Sequence, residues 1–191
     1  MFAPLFHPAM KHAIGPRREI GQRTIFNILG PLTNPANSTH QLIGVYDPDL
    51  TETIAMVLEE LGLSGAIVVH ADNGMDEFVT SGKNKVSQLR TGRIDTYEFN
   101  AQDYGLRPAD KKDLVGGNPQ ENAKILTTIL KGEDKTPRAD VVLLNAAAAI
   151  SSVEGNITTS LEKARDSLEN GLAFNKLSDL IKTSQSLAVA A

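Results

Sequence analysis

Apolar and polar positions in the middle of the chain follow two periods. Residues 41–46 (QLIGVY) and 65–70 (GAIVVH) are short, largely β-branched apolar runs of the kind that form buried strands. Between them Ile54, Val57, Leu58 and Leu61 fall on one helical face, with Asp49 or Thr51 as a cap and Gly62 as a stop. Strand, helix and strand with tight connections make a βαβ unit, which predicts parallel strands covered on both faces. KVSQLR and IDTYEF flank Thr91-Gly92 and predict a hairpin or a pair of edge strands.

Beyond residue 117 the period is helical. Asn118-Pro119-Gln120-Glu121 supplies a cap, a proline at the first helical position and a glutamate in the capping-box place, and Ile125, Leu126, Ile129 and Leu130 form a stripe up to Gly132. VVLLNAAAAISS continues as a helix or as strand plus helix. Thr159 with Glu162 starts the next helix, and Gly171 ends it. Residues 1–38 differ: they are rich in Pro, Gly, Asn and Arg, and predict helical turns broken at Gly15-Pro16, Gly30-Pro31 and Asn34-Pro35. Loop-rich stretches of this kind carry sites. The sum is a single α/β domain over residues 1–191, with a loop-rich segment at 1–38.

Composition narrows the function classes. With 191 residues, 41% of them hydrophobic, there is material for one core, and no apolar run reaches the roughly 18 residues of a membrane span. A formal charge of −4 argues against a dedicated nucleic-acid binder. Zero cysteines exclude thiolate metal sites and a Cys nucleophile in this chain and agree with a reducing compartment. MFAPLFHPAM has neither the charged start nor the apolar stretch of a signal peptide, so the expected location is the cytoplasm.

Candidate chemistry lies where a parallel sheet opens its ligand crevice, beyond the carboxyl end of the strand GAIVVH. The loop His70-Ala71-Asp72-Asn73-Gly74-Met75-Asp76-Glu77 places Asp72, Asp76 and Glu77 within six residues. Such hard oxygen donors suit Mg²⁺, which is typically held by one or two carboxylates plus substrate phosphates. The competing reading is a plain turn at Asp72-Asn73 with a solvated Glu77. His70, at the end of an apolar strand, reads as a core or supporting histidine. Lys11, Arg17, Arg18 and Arg23 cluster beside Gly-Pro loops, either as an anion clamp or as a solvated basic face. No P-loop, Gly-x-Gly-x-x-Gly, Gly-x-Ser-x-Gly or zinc spacing occurs.

The runs Phe2-Ala3-Pro4, His7-Pro8-Ala9-Met10-Lys11, Arg17 to Gly21 and Arg23 to Pro35, with Met75-Asp76-Glu77 and Leu143 to Ala148, resemble the anthranilate phosphoribosyltransferase family over essentially the whole chain. The resemblance implies helices packed on a mostly parallel central sheet, the large domain of the nucleoside phosphorylase/phosphoribosyltransferase-like fold, with the small helical domain mostly absent. It implies transfer of the 5-phosphoribosyl group of phosphoribosyl pyrophosphate to anthranilate in tryptophan biosynthesis, with Mg²⁺ on the pyrophosphate. Positions matching Asp76 and Glu77 bind the metal, and the position matching Arg17 contacts the anthranilate carboxylate. Those matching His7, Gly30 and Pro31 line the aromatic path, and no general base is assigned. Asn73 stands where the family commonly carries Asp.

The family's glycine-rich phosphoribosyl pyrophosphate loop and its Lys-His-Gly-Asn segment fall upstream of the position matching Met1. The chain is therefore expected to be a carboxyl-terminal portion with little activity alone. Full-length members homodimerise, which stays open for this chain. Two further readings compete: a nucleic-acid-binding relative that keeps the fold, and an inert remnant domain.

Overall fold

The computed structural model describes residues 15–16, 19–22 and 24–189. Four strands, β1 (His40–Gly44), β2 (Gly65–Ala71), β3 (Lys83–Arg90) and β4 (Arg93–Asn100), pair in that order. β1 and β2 run parallel, with Leu42 opposite Ile67, whereas β2–β3 and β3–β4 are antiparallel. The α/β class is as expected, but within the described residues the sheet is mixed, and its parallel part is the β1–β2 pair. The cause is in the connections: residues 72–82 and the turn at Thr91-Gly92 are too short to carry a crossover helix, so the chain returns antiparallel. At that turn Thr91 and Gly92 both take positive φ, 50° and 72°, which matches the twist of a two-residue hairpin.

Seven helices accompany this sheet among the described residues, α1 (Phe26–Leu32), α2 (Leu50–Glu60), α3 (Lys111–Leu114), α4 (Pro119–Leu130), α5 (Pro137–Glu154), α6 (Ile157–Glu169) and α7 (Leu172–Val189), and α2 and α5 make the main contacts with it. All seven residues of β2 are buried, and the pleat divides them between two cores. Ala66 and Val68 join Ile54, Ala55 and Leu58 of α2 on one face; Ile67 and Val69 join Leu143, Leu144, Ala147 and Ala148 of α5 on the other. Each buried Val or Leu stabilises the fold by about 1.5–3 kcal/mol. α5 lies close to the sheet because its packing face is small: a Cβ added to Gly65 would stand 2.4 Å from the Ser152 carbonyl oxygen. Its first turn is tied down by Arg107, whose Nε donates to Asp140 at 2.7 Å while the same guanidinium reaches the Lys135 carbonyl at 2.6 Å.

Several local expectations change. α1 runs through Gly30-Pro31 instead of breaking there; Pro31 removes one in-helix donor, and the helix stops two residues later, where the Thr33 backbone and hydroxyl both donate to Leu29 O at 3.1 and 2.9 Å. Asp49 precedes α2 without a side-chain cap bond, and Thr51 is buried, its hydroxyl donating to Pro48 O. VVLLNAAAAISS belongs to one helix. α6 begins at Ile157, two residues before Thr159, because Asn156 Oδ1 accepts from Thr158 and Thr159 N–H. β1 is a half-buried edge strand with only Ile43 buried, and in the α4 stripe Leu126 is exposed while Ile129 is buried. The Asn118–Glu121 capping box is present as expected, with bonds of 3.0 and 2.8 Å.

Candidate functional site

The parallel pair β1–β2 brings two chain exits together at its carboxyl edge. One is Val45-Tyr46 after β1, the other the loop 72–77 after β2. His70 joins them: its Nδ1 lies 2.8 Å from the Val45 carbonyl, and since a carbonyl only accepts, Nδ1 carries the proton. The ring is buried, so His70 is the supporting histidine expected from its place at the end of an apolar strand.

The acidic loop is a set of short-range turns. Asn73 Oδ1 accepts from Met75 N–H at 3.1 Å, Ala71 N–H donates to Met75 O at 3.0 Å, and Gly74 takes a φ of 86°. That Asx turn is why Asn serves at position 73. Asp72 is drawn out of the candidate cation set: its Oδ2 accepts the Lys83 N–H at 3.0 Å, and its carboxylate lies where a Cβ on Gly82 would stand. Asp76 and Glu77 remain, both exposed, adjacent and without a hydrogen-bond or ion-pair partner among the described residues. The Glu77 carboxyl is held above its ordinary value, first by displacement of water from around it and then by the charge of Asp76. No group of three or more His, Cys, Asp or Glu gathers at one point among the described residues. A pair of hard carboxylates with no partner among the described residues fits an ion such as Mg²⁺ that keeps several waters or phosphate oxygens.

Gly44, the last residue of β1, sets where this pair sits. A Cβ there would be 1.5 Å from the Asp76 carbonyl oxygen, so the loop rests directly on the glycine backbone. A glycine inside a strand pattern signals such close approach, and that cue in QLIGVY is the one the sequence reading leaves unused. Beside this contact lies a cavity of about 40 Å³ whose lining includes Asn27, Ile28 and Pro31 of α1, Gly44 at the end of β1, Tyr46 just beyond it, and Asp76. Pro31, nominated by the resemblance, and Asp76, nominated by the acidic loop and by the resemblance, thus share one cavity, with Glu77 next to Asp76. Gly30 is half-buried in α1 and is not on the lining. His7 and Arg17 lie outside the described residues.

Comparison with known proteins places the chain. The "Glycosyl transferase family, a/b domain" matches residues 1–174. Anthranilate phosphoribosyltransferase of Acetivibrio thermocellus is 46% identical over 97% of this chain and 54% of its own length. The Moorella thermoacetica enzyme of the same name is 48% identical over 98% and 56%. The chain spans about half the length of the curated relatives it matches. Among solved structures, anthranilate phosphoribosyltransferase from Thermus thermophilus superposes with a TM-score of 0.83 at 38% identity, covering 91% of this chain and 51% of that one. The Saccharomyces cerevisiae enzyme in complex with PRPP and Mg superposes at 0.85 with 27% identity, covering 94% and 52%. With a family match across nearly all of its residues and the same fold in its structural neighbours, the chain belongs to the glycosyl transferase family, as its a/b domain.

Proposed function

We propose that this chain is the carboxyl-terminal portion of an anthranilate phosphoribosyltransferase, carrying the metal-binding edge and the aromatic-substrate wall of a site that transfers the 5-phosphoribosyl group of phosphoribosyl pyrophosphate to anthranilate. The observation that carries the reading is the cavity shared by Pro31 and Asp76 beside Gly44, in a chain whose relatives bear this name along its whole length. Asp76 and Glu77 would hold Mg²⁺; Pro31, with Gly30 behind it and Arg17 and His7 from the preceding segment, would receive anthranilate. When bound, the ion neutralises charge that develops on the departing pyrophosphate. The protein's own work is positioning: α1 presents the aromatic ring's wall, Gly44 holds the loop in place, and the amine needs orientation more than a base. Homodimerisation and a cytoplasmic setting accompany this reading.

Because the relatives are nearly twice as long, the reaction proposed is that of the longer protein, and the chain alone is expected to turn over little. Loss of anthranilate fluorescence that depends on phosphoribosyl pyrophosphate tests it, with the chain alone and with the amino-terminal portion of the Moorella thermoacetica relative added in trans. Turnover should appear only in the mixture and vanish with Asp76→Asn/Glu77→Gln. Turnover that survives the double substitution would refute the assignment of the site.

A further inference from the structure

The loop that bears Asp76 and Glu77 leaves through Phe78, Val79 and Thr80, which are 3%, 1% and 0% exposed yet belong to no helix or strand. Buried backbone needs partners, and here side chains supply them. Asn145, in the middle of α5, accepts the Phe78 N–H on Oδ1 at 3.1 Å and donates from Nδ2 to the Phe78 carbonyl at 2.9 Å. Its second Nδ2 hydrogen goes to Val141 O at 3.0 Å, so both amide donors are committed. Asn84 of β3 repeats the device one residue on, accepting Val79 N–H at 2.9 Å and donating to Val79 O at 3.0 Å.

Asn145 is the polar exception in the run Val141 to Ile150, where packing alone would be served by an apolar residue and helix propensity by alanine. Outside its own helix, its amide pairs with the backbone of one residue, the one following Glu77. On the other flank Asp76 rests on Gly44. The carboxylate pair is thereby pinned at both ends, by contact at Asp76 and by paired hydrogen bonds at Phe78.

We propose that Asn145 is a positioning residue for the cation site, setting the place of Asp76 and Glu77 through the Phe78 backbone without touching the ion. This rests on the reading of that pair as the metal ligands. Groups that orient ligating carboxylates typically change metal affinity by about 10–100-fold when removed.

The test is Mn²⁺ binding followed by electron paramagnetic resonance, with inorganic pyrophosphate in excess, on the whole chain. Asn145→Ala is the direct variant. If circular dichroism shows it unfolded, Asn145→Ser replaces it, since Ser retains a bond back to Val141 O but is too short to reach Phe78. Either should bind Mn²⁺ about 10-fold more weakly and exchange the Phe78 amide faster. Ala148→Gly, one turn away on the same helix, should lower the melting temperature and leave Mn²⁺ affinity unchanged, which separates positioning from stability. Wild-type affinity in the folded Asn145 variant overturns the proposal while the metal reading stands. If Asp76→Asn/Glu77→Gln binds Mn²⁺ as the wild type does, the metal reading itself falls and takes this role with it.

Discussion

Two buried stretches of this chain solve the same problem differently. β2 satisfies its backbone through ladders to β1 and β3, while Phe78 and Val79 rely on the Asn145 and Asn84 amides. A ladder is indifferent to side-chain identity as long as the face fits, so β2 is a sheet-forming scaffold. Each side-chain amide pairs with both the N–H and the carbonyl of a single loop residue, which lets the chain turn out of the sheet at a chosen place and present Asp76 and Glu77 there. The ladder supplies stability, and the amides supply position.

Gly44→Ala breaks both devices at their meeting point. The added methyl would overlap the Asp76 carbonyl, so we expect a loss of about 3 kcal/mol in urea unfolding together with loss of divalent-cation binding. Next in size, Asn84→Ala leaves the Val79 N–H and carbonyl buried and unpaired, a loss of about 2–3 kcal/mol, with hydrogen exchange accelerated at Val79 first. Val69→Ala in β2 serves as its counterpart. It should cost about 2 kcal/mol through packing, with no selective change in exchange at Val79. Equal exchange patterns in the two variants would erase the distinction between ladder and amide.

Two further substitutions act on one region each, with smaller effects. Thr91 holds a φ of 50° that a β-branched residue disfavours, so Thr91→Asn should raise stability by about 0.5–1 kcal/mol in thermal melts and leave cation binding as it was. Glu77→Gln touches only the loop. A carboxyl raised in the folded state binds its proton more tightly there than when unfolded, so wild-type, metal-free stability falls as pH rises from the ordinary value of 4.5 through the raised one. The variant lacks that loss; its advantage in melting temperature should be absent in acid and grow towards neutrality.

What could be read from the sequence follows the same division. β2, α2 with its Gly62 stop, the Thr91-Gly92 hairpin and the Asn118 capping box were legible because each depends on neighbours in sequence, through periodicity or a local cap. The mixed sheet was less so, since strand direction depends on where a connection goes as well as on its length. Pro31 inside α1 defeats the usual reading of Gly-Pro as a stop, because a proline near the end of a short helix forfeits little. At the site, Asp76 and Glu77 were named from the acidic loop and again by family resemblance, and Pro31 by the resemblance, but Gly44 and Asn145 owe their roles to residues 32 and 67 positions away, and sequence spacing carries no record of that. His70 lay between: its burial was legible from strand position, its bond to Val45 was not.

In the function proposed above, Asp76 and Glu77, set on Gly44, would hold a divalent cation together with phosphoribosyl pyrophosphate. Isothermal titration of Mg²⁺ with phosphoribosyl pyrophosphate into the wild-type chain and Asp76→Asn/Glu77→Gln tests it most directly. Saturable heat in the wild type that disappears in the double variant, with both proteins equally folded by circular dichroism, is the predicted result. Binding of equal affinity in the two would contradict it.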